Sequence, residues 1–181
     1  PNVLVGPGEP VVIPAFLTLY RFAEPRVDHE AELAVIIGRG CKNVPESSAL
    51  DYVLGYTCFN DVSQRNIQKS DTSGWFRGKS LDTFGPVGPV VVPAASIPDP
   101  QTLTVVCRVN GAVKQRGSTA DMLFSVATLI EFISKNMTLE AGDLIATGTP
   151  SGVSPIVHGD IVEVEISSIG VLRNPVVEEG K

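Results

Sequence analysis

The sequence predicts an α+β domain, predominantly β, with two or three short helices. Three observations predict it. Short apolar runs rich in β-branched residues recur, as at residues 33–37, 53–59 and 90–92, and their length suits strands better than helices. The segment Ile161-Val162-Glu163-Val164-Glu165-Ile166 alternates apolar and acidic residues, the period of a half-buried strand. Apolar residues at helical spacing are concentrated in one stretch, residues 122–135.

Taken in order, Gly6-Pro7-Gly8-Glu9-Pro10 predicts a turn into a proline-bounded strand, Val11-Val12-Ile13-Pro14. Residues 15–28 read as irregular. His29-Glu30-Ala31-Glu32 opens the strand that Gly38-Arg39-Gly40 ends, and Pro45-Glu46-Ser47-Ser48 starts a helix. The run at 53–59 is a strand leading to Asn60-Asp61. Asp61-Val62-Ser63-Gln64 fits a cap with glutamine at its third position, predicting a short helix over 62–69. Residues 70–74 form a polar loop, followed by Trp75-Phe76-Arg77-Gly78-Lys79. Residues 80–100 are rich in Pro and Gly around a strand at 90–92. A strand at 103–109, the turn Asn110-Gly111 and a return at 112–115 make a hairpin. The best helix covers 122–135, capped by Asp121, with Met122, Val126, Leu129, Ile130 and Ile133 as its core face. Ala141-Gly142-Asp143 turns into a strand at 144–147, and Gly148-Thr149-Pro150-Ser151-Gly152 makes a tight loop. His158-Gly159-Asp160 turns into the 161–166 strand, and 169–172 is a final strand before a polar tail. With no repeat or linker, residues 1–181 read as a single domain. The chain opens at Pro1 rather than Met, so an upstream segment is expected.

Composition bounds the function. A chain of 181 residues with 43% hydrophobic content and mean hydropathy +0.19 builds a core and is not a disordered segment. Net charge −6 and pI near 4.9 argue against a nucleic-acid surface but leave room for a local anion pocket. Cys41, Cys58 and Cys107 are odd in number, far apart and lack a C-x-x-C pair. They read as reduced packing thiols of a cytoplasmic protein. No apolar run approaches the ~20 residues that span a bilayer, and no secretory leader is present in the given chain.

The chemistry centres on acids. On a strand, Glu30 and Glu32 point to one face, which continues through Ala34 and Ile36 and so becomes apolar. Two carboxylates entering such a face repel and lose hydration unless a cation joins them. Asp61, closing the second apolar run, supplies a third ligand. Glu163 and Glu165 are the internal control, since they alternate with Val162, Val164 and Ile166 and read as an ordinary wet face. Three acids without His or Cys select Mg²⁺ or Mn²⁺ over zinc, and Ca²⁺ suits a roomier cage. Such a site leaves positions for a 2-oxo acid, and the metal would act as a Lewis acid on the enolate.

Arg65, four residues after Asp61, falls on its side of the expected helix, and Lys79 follows Gly78 and the apolar Trp75-Phe76. Both are candidate partners for a substrate anion. The loop from Gly148 could present backbone N–H groups and the Thr149 hydroxyl to a carboxylate. Two motifs come near and miss. Gly78-Lys79-Ser80 ends like a phosphate-binding loop, but Ser73 stands where its first glycine belongs and Gly74 is one place out. Gly148 to Gly152 carries its serine one place late for a nucleophile elbow. His29 reads as a neighbour of the acidic site, and His158 as a turn residue.

Together, the stretches 27–38, 55–57 with 60–65, 79–86, 121–125 and 146–153, then Gly159-Asp160 and 170–175, resemble the fumarylacetoacetate hydrolase superfamily. The similarity is to its acylpyruvase and hydroxyheptadienedioate isomerase-like branch. The resemblance implies a mixed, rolled β-sheet and a homodimer. It implies Mg²⁺ or Mn²⁺ on Glu30, Glu32 and Asp61, with Lys79 and Arg65 serving catalysis. Substrate contacts would come from Gln68, Gly148 and Thr149, with Thr83 nearby. Many members carry a further His and Glu upstream that activate water, and this chain begins after that point. The expected enzyme acts on small 2-oxo or 2-hydroxy-dienoic dicarboxylic acids through a metal-stabilised enolate, as an isomerase or decarboxylase. Alternatives are C–C hydrolysis of acylpyruvates, decarboxylation of oxaloacetate, or a non-catalytic protein that only binds a metal-chelated oxo acid.

Overall fold

Alternation decides which side chains enter the core. In the strand Ala31–Ile37 the odd positions Ala31, Leu33, Val35 and Ile37 are all buried and join one apolar cluster with Tyr56, Cys58, Cys107, Val162, Val164 and Leu172. Each Leu, Ile or Val buried there contributes about 1.5–3 kcal/mol. The computed structural model describes residues 3–20, 22, 24–72 and 75–181. Ser73 and Gly74, which carry the near-miss phosphate loop and the end of the polar loop, lie outside the described residues.

In chain order the strands are β1 (Leu4–Val5), β2 (Val11–Ile13), β3 (Val27–Asp28), β4 (Ala31–Ile37), β5 (Val53–Asn60) and β6 (Ser63–Gln64). They continue as β7 (Gly85–Pro93), β8 (Thr104–Val109), β9 (Ala112–Ser118), β10 (Leu144–Ala146), β11 (Ile161–Ile166) and β12 (Gly170–Glu178). The α-helices are α1 (Arg65–Ser70), α2 (Phe76–Lys79) and α3 (Val126–Asn136). One sheet has the order β1-β7-β5-β4-β10 and the other β2-β12-β11-β8-β9, with β3 and β6 as a small ribbon. β1 pairs β7 and β2 pairs β12 in parallel, while the other pairings are antiparallel. β5 packs on β11 and β12, and β4 on β8. The molecule is thus a curled, mixed β structure with few helices.

Register sets up the site. β4 runs antiparallel to β5 with Ala31 opposite Asn60. The chain leaving β5 therefore arrives beside the start of β4, where the Asp61 N–H donates to the Glu30 carbonyl at 2.9 Å. The Asn60 side-chain oxygen accepts from the Glu30 N–H at 2.9 Å. On the other edge of β4, β10 places Ala146 opposite Ala34, so the loop that follows passes Glu32.

Several sequence expectations shift. The helix expected over 62–69 with an Asp61 cap begins only at Arg65. Residues 63–64 pair with β3 instead, and Gln64 is the cap, its side chain accepting from the Ile67 N–H at 2.7 Å. The helix expected from Met122 starts at Val126, because the Ser125 hydroxyl accepts from the Thr128 N–H at 3.0 Å. Asp121 lies in a separate 3-10 turn, Thr119–Asp121. Val126 and Ile130 are buried as expected, whereas Met122, Leu129 and Ile133 are only partly covered. The helix expected from Pro45 is a 3-10 helix, Glu46–Tyr52, and another, Ala15–Tyr20, interrupts the segment read as irregular. The strand at 90–92 extends over Gly85–Pro93. The polar tail is the second half of β12, which pairs β11 up to Pro175 and then switches to β2 from Val176. Asn110 and Gly111 both take positive φ, 51° and 79°, as a two-residue hairpin turn requires. The three cysteines are buried free thiols. Among the described residues no helix is long and apolar enough to cross a membrane.

Candidate metal centre

The even face of β4 gives up apolar burial for acids. Glu32 is 3% exposed and Glu30 8%. With Asp61 they offer three carboxylate oxygens that lie within 4.8 Å of one another. Three acids so close, two of them buried and Asp61 half-buried, are unfavourable without cations, and two cations reach them. Lys79 Nζ donates to Glu30 Oε2 at 2.7 Å, to Asp61 Oδ2, and to Ser63 Oγ at 3.0 Å. Arg65 Nη2 donates to Glu30 Oε1 at 2.6 Å. Its Nη1 donates to Gln68 Oε1 at 2.9 Å, and its Nε to Asp28 Oδ2 at 2.8 Å. Asp28, fully buried, also accepts from Arg26 Nε at 2.8 Å and so fixes the guanidinium that faces Glu30.

Lys79 reaches the acids because Gly78 lets α2 touch α1. A Cβ at Gly78 would stand 2.8 Å from Gln68 Cβ and 2.9 Å from its backbone N. On the opposite wall, Gly148, at φ 98°, donates its N–H to Glu32 Oε2 at 2.8 Å.

The electrostatics follow from this crowding. Burial pushes the Glu32 carboxyl up to about 8, and Asp61 and Glu30 add to it, with the Gly148 N–H opposing. Asp61 is also raised, by burial first, against the pull of Lys79. For Lys79 burial works to lower the value, but Asp61 and Glu30 outweigh it and the ammonium stays charged. Without a divalent ion Glu32 is therefore mostly protonated at neutral pH. All the donor atoms are carboxylate oxygens, a set that fits a hard divalent cation.

The cluster opens into a cavity of about 590 Å³, within the range of small-ligand sites. Glu30, Glu32, Asp61, Arg65, Gln68, Lys79, Gly148 and Thr149 all line it, with Trp75 at the rim. Thr83 does not line it. Its hydroxyl accepts from the Val12 N–H at 2.7 Å, which ties β2 to this segment. The Thr149 hydroxyl is also turned inward, donating to the Ala31 carbonyl at 2.8 Å and accepting from Gln115 Nε2. The i, i+4 reason for placing Arg65 beside Asp61 fails, since α1 begins at Arg65, yet Arg65 reaches the site through Glu30.

His29 is fully buried behind the acids rather than in the cavity, with Nδ1 2.9 Å from Gln115 Oε1 and Nε2 2.9 Å from Ser154 Oγ. Burial holds its ring below the ordinary histidine range. His158 is the turn residue expected, its Nδ1 accepting from the Glu178 N–H at 3.1 Å. Glu165 pairs with Arg108 and Glu163 with Arg173, the ordinary wet face expected of β11. Sequence reasoning missed Asp28, Asn60 as a side-chain acceptor, Ser63 and Gln115. The signal for Asp28, Asn60 and Ser63 was their place beside Glu30 and Asp61 in the chain, whereas Gln115 had none.

Comparison with known proteins bears on the family and the fold. The sequence model of the fumarylacetoacetate (FAA) hydrolase C-terminal family matches residues 1–177. A 2-hydroxyhepta-2,4-diene-1,7-dioate isomerase structure from Mycobacterium marinum superposes with TM-score 0.91 at 48% identity, covering 99% of this chain and 67% of that one. The oxaloacetate tautomerase YisK of Bacillus subtilis is 48% identical over 158 residues, 83% of this chain and 52% of the relative. A maleylpyruvate hydrolase from Sphingobium sp. SYK-6, in complex with manganese(II) and pyruvate, has TM-score 0.87 at 38% identity, covering 98% of this chain and 62% of that one. The chain thus spans between about half and two thirds of the length of these relatives, all of which are named as enzymes. On the family match across nearly its whole length, the chain belongs to the fumarylacetoacetate hydrolase family.

Proposed function

We propose that this chain is the catalytic domain of a divalent-metal-dependent enzyme acting on small 2-oxo or 2-hydroxy-dienoic dicarboxylic acids. The favoured reaction moves a proton along the carbon chain next to a ketone, as an isomerase or tautomerase does. The observation that carries the reading is the convergence of Glu30, Glu32 and Asp61 within 4.8 Å on a cavity that also presents Arg65 and Lys79. Relatives named as an isomerase and a tautomerase, and a hydrolase holding manganese and pyruvate, support it.

A Mg²⁺ or Mn²⁺ ion on the three carboxylates would supply Lewis acidity to a substrate oxygen, and Ca²⁺ would suit the same oxygen donors in a wider cage. The chain's own residues do the rest. Lys79 has three protons, all engaged by Glu30, Asp61 and Ser63. It can therefore serve a substrate carboxylate or a developing oxyanion only by releasing one of those partners, while keeping its charge. Arg65, braced by Asp28 and Gln68, presents a fixed guanidinium at the cavity wall for a second anionic group. Glu32 gives up its proton when a cation takes the site.

Hydrolytic C–C cleavage is the second reading, favoured by the maleylpyruvate hydrolase relative. It needs a base for water, and among the described residues no histidine lines the cavity. The test is a panel of oxaloacetate, hydroxyheptadienedioate, acetylpyruvate and fumarylpyruvate, with Mg²⁺, Mn²⁺ or chelator, followed by enol absorbance and product analysis. Metal-dependent isomerisation without chain cleavage is the expected result. Cleavage products would favour the hydrolase, and no turnover by the full-length protein would leave only oxo-acid binding.

A further inference from the structure

Behind the cavity lies a buried polar chain that the proposed reaction does not use. Gln115, on β9, is 1% exposed. Its Oε1 accepts from the Ala31 N–H at 3.1 Å and faces His29 Nδ1 at 2.9 Å. Its Nε2 donates to Thr149 Oγ1 at 2.8 Å and to the Pro150 carbonyl at 2.7 Å. Thr149 Oγ1 passes its own hydrogen to the Ala31 carbonyl at 2.8 Å.

The ends of this chain leave no freedom in the middle. The Ala31 N–H can only donate and the Pro150 carbonyl can only accept, so the Gln115 amide has one orientation. Its oxygen, an acceptor, therefore meets His29 Nδ1 at 2.9 Å, a contact that only a hydrogen on Nδ1 can satisfy. Cys107 Sγ, 3.3 Å from the same nitrogen, then accepts rather than donates. In a neutral ring Nε2 is then an acceptor and the Ser154 hydroxyl donates to it. The Ala31 N–H belongs to the peptide joining Glu30 to Ala31, and the Ala31 carbonyl to the peptide joining Ala31 to Glu32. Both peptides between the two glutamates are clamped from behind. The same glutamine ties down the loop whose Gly148 N–H holds Glu32.

We propose that Gln115, oriented by the Nδ1–H tautomer of His29, is a positioning residue that sets the spacing of Glu30 and Glu32 and the approach of the Gly148–Thr149 loop. The proposal rests on the reading of the acidic cluster as a divalent-cation site. Ligand-orienting partners of this kind are typically worth about 10–100-fold in metal affinity.

The substitutions separate position from bulk. Gln115→Met keeps the volume and removes both hydrogen-bonding ends. His29→Asn leaves an amide donor where Nδ1 stood, and His29→Gln moves it toward the place of Nε2, away from Gln115. Mn²⁺ affinity is measured by calorimetry on the full chain, with metal-free thermal unfolding alongside. The expected result is a loss of about 10–100-fold for Gln115→Met and for His29→Gln, and near wild-type affinity for His29→Asn. Two-bond ¹H–¹⁵N correlation spectra of the wild-type protein should show His29 protonated at Nδ1, a readout that needs no variant to fold. A bare Nδ1 overturns the proposal. So does a Gln115→Met protein that melts lower yet binds Mn²⁺ as tightly as wild type. Failure of the wild-type protein to bind Mn²⁺ overturns the functional reading and the proposal with it, whereas binding that every variant retains overturns the positioning role alone.

Discussion

Glu32→Gln in the metal-free protein should change how stability depends on pH. The Glu32 carboxyl rises from 4.5 to about 8 on folding, so the folded protein binds this proton more tightly than the unfolded chain. The proton's stabilising effect is complete below the unfolded value. It is lost as pH rises, until the folded group ionises near 8. The gap between 4.5 and about 8 corresponds to roughly 5 kcal/mol of stability lost by wild type between pH 4.5 and 9. Glutamine keeps an acceptor for the Gly148 N–H but cannot ionise, so the variant should show a far flatter profile. Asp61, also raised, leaves a smaller slope of the same sign in both proteins. Urea unfolding in chelator from pH 5 to 9 measures the difference. Mn²⁺ should remove most of the penalty in wild type and little in the variant. Parallel pH profiles for the two metal-free proteins would refute the account of Glu32 as an acid forced into a buried, like-charged corner.

Lys79→Met removes the cation shared by Glu30 and Asp61, and losing one partner of a buried ion pair costs about 3–5 kcal/mol. The low end is expected, because the Lys79 side chain is 21% exposed. Denaturation in chelator should show the loss and Mn²⁺ should restore part of it, while an unchanged midpoint in chelator would remove Lys79 from that role. Gly78→Ala drives a Cβ into the Gln68 backbone, at a cost of about 1–3 kcal/mol for overpacking. Turnover should fall with it as Lys79 is displaced, and an alanine variant of full activity and stability would show that α1 and α2 can part freely.

The acids of the site were legible in the sequence because their signal is local. Glu30 and Glu32 stand two apart at the head of an apolar strand, and Asp61 ends another. One antiparallel register then brings them together. Arg65 and Lys79 were legible as cations with apolar or acidic neighbours, though the helical reason for Arg65 was wrong. Gln64 out-competes Asp61 as the cap because β3 captures residues 63–64. The roles of Asp28 and Gln115 were not legible. Arg65, the site residue that Asp28 holds, lies far along the chain, the partners of Gln115 lie in distant segments, and a glutamine in a polar return strand carries no sign of being buried. Thr83 was named by resemblance alone and Thr149 also by its loop, and their hydroxyls bond to Val12 and Ala31 in this structure, partners that no local pattern signals. The late start of α3 turns on whether Asp121 or Ser125 finds a free N–H, a choice that apolar spacing leaves open. The continuation of β12 past Leu172 was hidden by Arg173, Asn174 and Pro175, although Leu172, Asn174 and Val176 are buried in alternation.

The most direct test titrates Mn²⁺ into the metal-free protein at neutral pH, by calorimetry in buffers of differing ionisation heat. The account predicts one ion per chain with release of close to one proton, because Glu32 titrates near 8 before the ion arrives, and loss of that binding in Asp61→Asn. No binding, or binding that Asp61→Asn leaves intact, would contradict it.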